Sequence, residues 1–488
     1  MTTTFKARST TDFDEICLGN LEVQQKSKKK NKEEAIVKFD VHRPGECPSI
    51  KIIIIFLFVT APFVLFSVMC AGGCANASTI RPPLILVHGF FGNKMYLDGK
   101  NTPFPANFPL LCTQLFAGRY SIKGWVNPLL AVGTLNVTNI QECLFYLMSL
   151  SYDQTTDTYR NQTGVDVTFL ARKEFGCTCP STCWVSDSFP GGCALSSSSP
   201  APEDETYFAP LINKCLVNFG YTKGCNLFAA PYDWRLTPGM DYTEAYFVNL
   251  TTLIEKSVNA TGKKAILLCH SLGNLVVNYY LNQRMSQEWQ NRYLSRTINT
   301  SGPWGGTTFI IEQILSGNVD RLFPGLSLIV PNLVVRKFIR TLAAVAFLLP
   351  NSLAFQSDTK LASISGLNYT FADLAQLLSV ANIAQMQLLY QSLSSQIEAN
   401  KYTPMVCVHS ISDKGTPAEF DYPNGIDKKA DTKMGPGDGL INAESMRVCQ
   451  KWKEQGKLVD SVTEIVGPTH VGILHSDQFC QLIKTIAV

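Results

Sequence analysis

The chain has 488 residues, 45% of them apolar and 17% charged, with a formal net charge of +3. That length suits one large α/β domain with insertions or about two or three ordinary domains, and the apolar share can fill a sizeable core. So mild a charge gives no footing for nucleic acid as a partner, and the basic run "KSKKKNKEE" (Lys26–Glu34) reads as a solvated tail.

In chain order, the first informative stretch is Ile52–Ala71, which is almost wholly apolar, and no charge occurs from Ile52 to Ile80. Twenty such residues in a helix span about 30 Å, the thickness of a bilayer core. Lys38, Arg43 and Lys51 precede it, and the next basic residue is Arg81. The positive-inside rule then predicts a cytoplasmic tail over 1–51, an uncleaved transmembrane signal-anchor over 52–72, and a lumenal or extracellular remainder from about residue 80. The competing reading is a signal peptide cleaved at Ala77 in "ANAS", which gives a secreted protein with the same residues on the same side. All the N-x-[ST] sequons, at Asn76, Asn136, Asn161, Asn249, Asn259, Asn299 and Asn368, lie beyond the apolar segment. Asn76 and Asn299 are expected to stay unmodified, the first beside the bilayer or lost with the leader, the second at a strand end beside the site. Twelve of the sixteen cysteines fall from Cys112 onward, and an oxidising compartment makes disulfides of many of them. The cluster "CTCPSTCWVSDSFPGGC" (Cys177–Cys193) has no zinc spacing and no nearby histidine, so it reads as a disulfide-stapled loop without metal.

Short apolar runs then alternate with helical stretches. "PLILVHGFFGN" (Pro83–Asn93), "CNLFAAPYDWR" (Cys225–Arg235), "AILLCHSLGN" (Ala265–Asn274), "RTINTSGPWGG" (Arg296–Gly306) and "TPMVCVHSI" (Thr403–Ile411) each run into a polar or glycine-rich end. The pattern predicts βαβ units and a mostly parallel sheet, with chemistry at the carboxyl ends of its strands. "FIRTLAAVAFLLP" (Phe338–Pro350) is too short to span a membrane and reads as a helix of an inserted cap.

Ser271 stands where a nucleophile elbow, G-x-S-x-G, places its serine. Gly273 meets the demand for a small neighbour, and Cys269 replaces the first glycine. A triad needs an acid and then a histidine further along the chain. Only His470 and His475 of the six histidines come late enough; His470 follows a Gly-Pro turn and is preferred. For the acid, Asp438 lies between two glycines in "GPGDGLINAES", with Asp413, just past a strand, as the alternative. The oxyanion hole is assigned to the backbone N–H groups of Leu272 and Phe91. Trp304 is assigned to the acyl pocket, with core packing as the alternative. A buried Arg–carboxylate contact is the expected role of Asp233 and Arg235.

The motifs "HGFFGN", "APYDWR", "HSLGN", "GPWGG", "GDGLINAES" and "THVGILHS" resemble, in order and spacing, the lecithin–cholesterol acyltransferase family from about Arg81 to Phe479. The resemblance implies an α/β-hydrolase core over 80–488, with a membrane-contacting lid (about 104–145) and a cap (about 307–400); the cysteine-rich insert (about 177–193) has no counterpart in the family pattern. It implies the triad Ser271, Asp438 and His470, a disulfide between Cys407 and Cys449, and a lid disulfide between Cys112 and Cys143. It also implies acyl transfer from a glycerophospholipid through an acyl-serine to water or a lipid hydroxyl, at a membrane surface and without cofactor. Departures from the family pattern are Cys269 for the elbow glycine, His88 for the proline of the oxyanion turn, and Leu440 for the threonine after Gly-Asp-Gly. The alternatives are a non-catalytic lipid-binding membrane glycoprotein on the same fold, or an esterase for non-lipid substrates.

Overall fold

The computed structural model describes residues 81–169 with gaps, the longest at 113–139, and 207–487 with short gaps between 319 and 329. Nearer the N-terminus it describes only three short strands. Two units divide the chain, Met1–Gly73 and Cys74–Val488. In the first, Leu21–Gln24, Glu34–Phe39 and Ile52–Leu57 pair as an antiparallel sheet. The start of the expected anchor is therefore a strand, and its remainder lies outside the described residues. No helix among the described residues is long and apolar enough to cross a membrane. The cysteine-rich insert at Cys177–Cys193 and most of the lid also lie outside them.

The second unit is built on six strands: β1 (Leu84–Val87), β2 (Leu227–Ala229), β3 (Ala265–His270), β4 (Leu294–Thr300), β5 (Met405–Ser412) and β6 (Val459–Gly467). Their order across the sheet is β6-β5-β4-β3-β1-β2, and every pairing is parallel. β3 is buried along its whole length, because a parallel sheet carries a layer on each face. Strand alternation divides the side chains between those layers. Ile85, Val87, Leu267 and Cys269 enter one apolar cluster, while Leu84, Leu86, Ile266 and Leu268 enter the other. This is the mostly parallel α/β sheet that the apolar runs predicted.

Two helices frame the central strand. α1 (Asp241–Thr261) opens with Asp241 and Glu244 in its first turn, where the helix dipole favours acid. It buries Tyr246, Phe247, Leu250 and Ile254, a stripe at helical spacing, and ends on Gly262 at φ 68°. α2 (Leu272–Tyr279) leaves β3 directly after Ser271 and is buried throughout.

The cap is more composite than an insertion over 307–400. Its strands Lys360–Ile364 and Leu367–Thr370 join a four-stranded sheet completed by Thr416–Tyr422 and Asp431–Gly435, which follow β5. The stretch read as one helix at Phe338–Pro350 is divided between Asn332–Ile339 and Ala344–Leu348. Among the sequons, Asn249, Asn259 and Asn368 are exposed. Asn299 is buried on β4 and its amide donates to Thr297 Oγ1 at 2.8 Å, which leaves no room for a glycan. Asn76 and Asn136 lie outside the described residues.

Candidate active site

The junction of β3 and α2 is a strained turn. Ser271 has φ 55° and ψ −131°, a conformation that costs a non-glycine residue about 1–3 kcal/mol. Surrounding contacts hold it there. Its N–H donates to the Thr300 carbonyl at 3.0 Å. The buried Asn274 amide donates to both the Ser271 and Thr300 carbonyls at 2.9 Å.

Gly273 is required by packing. A Cβ there would collide with the Val87 and His88 carbonyl oxygens. Gly89 is pinned likewise, since its Cβ would fall 2.5 Å from that of Ser271. The oxyanion turn and the elbow are thus in backbone contact. Cys269 fits because its side chain enters the core rather than this contact. Its thiol is free, and burial pushes it far above the ordinary range, so it is a neutral packing group.

His88 does by hydrogen bonding what a proline ring does by covalent constraint. Its Nδ1–H donates to the Gly89 carbonyl at 2.8 Å, and Nε2 accepts the Tyr232 N–H at 3.2 Å. The ring stacks on Tyr232, with centroids 4.4 Å apart. Burial pushes the His88 imidazole down to about 4, so this neutral tautomer persists at physiological pH.

Asp438 and His470 meet in the loops past the strand ends, on the same side of the sheet as Ser271. The Asp438 carboxylate is fully buried and accepts from His470 Nδ1 at 2.7 Å. Its other oxygen accepts the N–H groups of Leu440 at 3.1 Å and Ile441 at 2.8 Å. The His470 N–H also donates to the Asp438 carbonyl at 2.8 Å. The imidazole is therefore oriented by both side chain and backbone, with Nε2 left to act as a base.

Ser271 and His470 line one cavity of about 40 Å³, together with Phe90, Phe309 and Leu440. Leu440, which stands where the family has threonine, lends its backbone to the acid and its side chain to the cavity wall. Neither alternative triad member is assembled there. Asp413 is exposed on the turn after β5. His475 donates through Nε2 to the Tyr207 carbonyl at 2.8 Å.

One assignment made from sequence is changed. Trp304 does not line this cavity; it is buried in the core edge-on to Trp452, with ring centroids 5.1 Å apart. In the oxyanion turn the two phenylalanines divide their roles. Phe91, at φ 56°, turns its ring into the core, 4.2 Å from that of Trp234, and Phe90 lines the cavity.

Arg235 is the buried structural cation expected. It donates to Asp233 through Nε at 3.0 Å and Nη2 at 2.7 Å, and to the Met148 carbonyl through Nη1 at 2.9 Å. Nη2 also reaches the Asn161 side-chain oxygen at 2.7 Å. The motif Asp-Trp-Arg thus backs the oxyanion turn through Trp234 and ties it to the segment before β2.

Cys407 and Cys449 are joined, as are Cys112 and Cys143. A third disulfide, Cys215–Cys480, was not anticipated. It links Leu211–Leu216 to α3 (Asp477–Ile486), the helix that follows the His470 loop. No group of acidic, histidine or cysteine side chains that could hold a metal ion occurs among the described residues.

Residues 129–408, more than half of the chain, match the family described as Lecithin:cholesterol acyltransferase. The chain belongs to this family. It is 27% identical to the rat "Lysosomal phospholipase A and acyltransferase" over 87% of its own length and 94% of that protein. It is also 27% identical to the chicken "Phosphatidylcholine-sterol acyltransferase", covering 86% of this chain and 94% of the relative. "Lecithin-cholesterol acyltransferase-like 1" of Arabidopsis thaliana is 28% identical, with 87% and 94% covered. In this member of the lecithin:cholesterol acyltransferase family, Ser271, Asp438 and His470 follow one another in that order along the chain. What sequence reading missed here is Tyr207 and His270, which also line the cavity. His270 was visible as the elbow's neighbour, but nothing local marked Tyr207.

Proposed function

We propose that this protein is a lipid acyltransferase and phospholipase A that works through an acyl-serine. The observation that carries the reading is the His470–Asp438 pair, which opens on the same cavity as the strained Ser271. His470 Nε2 takes the Ser271 proton as Oγ attacks the ester carbonyl of a glycerophospholipid. The oxyanion is held by the N–H of Leu272, first in α2, and by an N–H of the Gly89–Gly92 turn. Collapse breaks the ester bond, His470 gives its proton to the leaving lysolipid alkoxide, and Ser271 keeps the acyl group. Water or a lipid hydroxyl then attacks the acyl-serine, losing its proton to His470, which passes it to Ser271 Oγ as the acyl–Oγ bond breaks.

The relatives' names speak of a phospholipase A and of a phosphatidylcholine-sterol acyltransferase, and the reading extends that class to this chain: a phospholipid donor, with a sterol, another lipid hydroxyl or water as acceptor. We further assign the catalytic unit to a lumenal or extracellular compartment behind an N-terminal anchor. The support is the apolar run at Ile52–Ala71, the one-sided sequons and the disulfide pairs.

The test is lipid mass spectrometry of the purified protein with acyl-labelled phosphatidylcholine, with and without sterol, diacylglycerol or ceramide. Label should pass to free fatty acid or to one acceptor, and Ser271→Ala should abolish it. Turnover that survives in Ser271→Ala would overturn the reading.

A further inference from the structure

Three loops from different strand ends meet at Ser271, and a single chain of buried hydrogen bonds crosses all three. The Gly89 N–H donates to the Tyr207 hydroxyl at 2.7 Å. Tyr207 Oη lies 2.6 Å from His270 Nδ1, and His270 Nε2 lies 2.9 Å from the His470 carbonyl oxygen.

The direction of every bond is fixed. A carbonyl only accepts, so His270 Nε2 carries the proton. Nδ1 is then the acceptor, because burial keeps this imidazole neutral, well below its ordinary range. The Tyr207 hydroxyl must therefore donate to Nδ1, which leaves its oxygen to receive the Gly89 N–H. Tyr207 and His270 are 2% and 1% exposed, so water cannot replace either partner. Tyr207 is anchored in turn by His475, which donates to its carbonyl.

We propose that Tyr207 and His270 form a relay that holds the oxyanion turn, the nucleophile elbow and the base loop in register, and that both are positioning residues for the reaction at Ser271. The inference rests on the acyl-serine reading above.

Its chemical logic has two parts. Engaging the Gly89 N–H commits that donor to Tyr207, so the N–H that serves the oxyanion comes from the next residues of the turn. Holding the His470 carbonyl fixes the base loop at a second point besides Asp438. The base is thus clamped on its imidazole by Asp438 and on its backbone by His270. Both positioning residues border the cavity where the reacting atoms meet, so a small displacement of either loop misplaces a catalytic group.

The test is a double-mutant cycle of Tyr207→Phe and His270→Asn. Tyr207→Phe keeps the ring and removes both bonds of the hydroxyl. His270→Asn offers an amide that can satisfy one neighbour but not two. Initial rates are read on phosphatidylcholine vesicles with a labelled acyl chain, and folding is followed by thermal unfolding. Each single variant should lose about 10–100-fold in kcat with KM within about twofold, the pattern of a misplaced transition state. The double variant should be no worse than the weaker single, because one chain of bonds is already broken.

A kcat within about threefold of the parent in a folded single variant, losses confined to KM, or losses that multiply in the double variant would each overturn the relay. If Tyr207→Phe fails to fold, His270→Asn decides by the same kcat and KM criterion. Ser271→Ala, run alongside, separates the two levels. Turnover that survives there removes the acyl-serine reading itself. Its loss, with Tyr207→Phe unimpaired, removes only the relay.

Discussion

Replacing Asp438 by Asn is the sharpest single probe of the site. The carboxylate sits fully buried, with one oxygen on His470 Nδ1 at 2.7 Å and the other on the Leu440 and Ile441 N–H groups. An asparagine keeps the volume, and its oxygen can still receive the two backbone donors. Its amide nitrogen then faces Nδ1, where two donors cannot meet. The imidazole responds by moving its proton to Nε2, which removes the lone pair that would deprotonate Ser271. In serine-protease triads the same exchange of aspartate for asparagine lowers kcat about 10⁴-fold, and a loss of about 10³–10⁴-fold, or about 4–5.5 kcal/mol of transition-state stabilisation, is expected here. The exposed Asp413 touches neither group, so Asp413→Asn should stay within about twofold of the parent. The assay is initial-rate release of labelled acyl chain from phosphatidylcholine, with folding checked by near-ultraviolet circular dichroism. If Asp438→Asn retained more than a tenth of parental kcat, or if Asp413→Asn lost more, the assignment of the acid would be refuted.

Glu312 gives a prediction on pH. Burial pushes its carboxyl from the ordinary 4.5 to about 7, against the opposing pull of Asn318 and of Arg321 at 3.8 Å. A raised acid binds its proton more tightly in the folded state, so its contribution is fully present below pH 4.5 and lost as pH rises to about 7. The linkage amounts to about 3 kcal/mol at most. The buried His88 and His270, held neutral in the fold, pull the other way below about pH 6.5. The Glu312 part is therefore read from urea unfolding of the parent and Glu312→Gln side by side at about pH 5 and about pH 7.5. The stability of the parent relative to Glu312→Gln should fall between those two pH values, and an unchanged difference would remove Glu312 as a source of pH dependence. Cys215→Ser with Cys480→Ser should lower stability by about 2–5 kcal/mol through loss of a 265-residue loop closure, read as a fall in melting temperature. Unreduced peptide maps of the parent that recover both residues as free thiols would reject the disulfide.

The sequence by itself determined the chemistry that is local. Cys-His-Ser-Leu-Gly after a fully apolar run marks the elbow, because a serine at φ 55° between a strand and a helix tolerates few neighbours. The glycine-flanked Asp438 and the late His470 were legible for a related reason: each is a polar residue in a short turn just past a strand. The buried strands were legible as runs of apolar residues, since a parallel sheet covered on both faces needs them continuous. Trp304 misled, because it follows a strand end, as pocket residues do, yet its ring turns back onto Trp452. Phe90 and Phe91 share one turn, and spacing alone does not say which ring faces the cavity.

Tertiary structure alone decided what depends on distant segments meeting. Tyr207 reaches His270 across 63 residues and Gly89 across 118, and Cys215 reaches Cys480 across 265. The cap sheet takes strands from both sides of β5. Local periodicity reports which face of an element is apolar, whereas a hydrogen-bond partner is chosen by where two chain segments are packed together. The serine of the strand-to-helix turn was therefore written in five adjacent residues, while the bonds that tie its turn to Gly89 and to the His470 loop exist only once the sheet has closed.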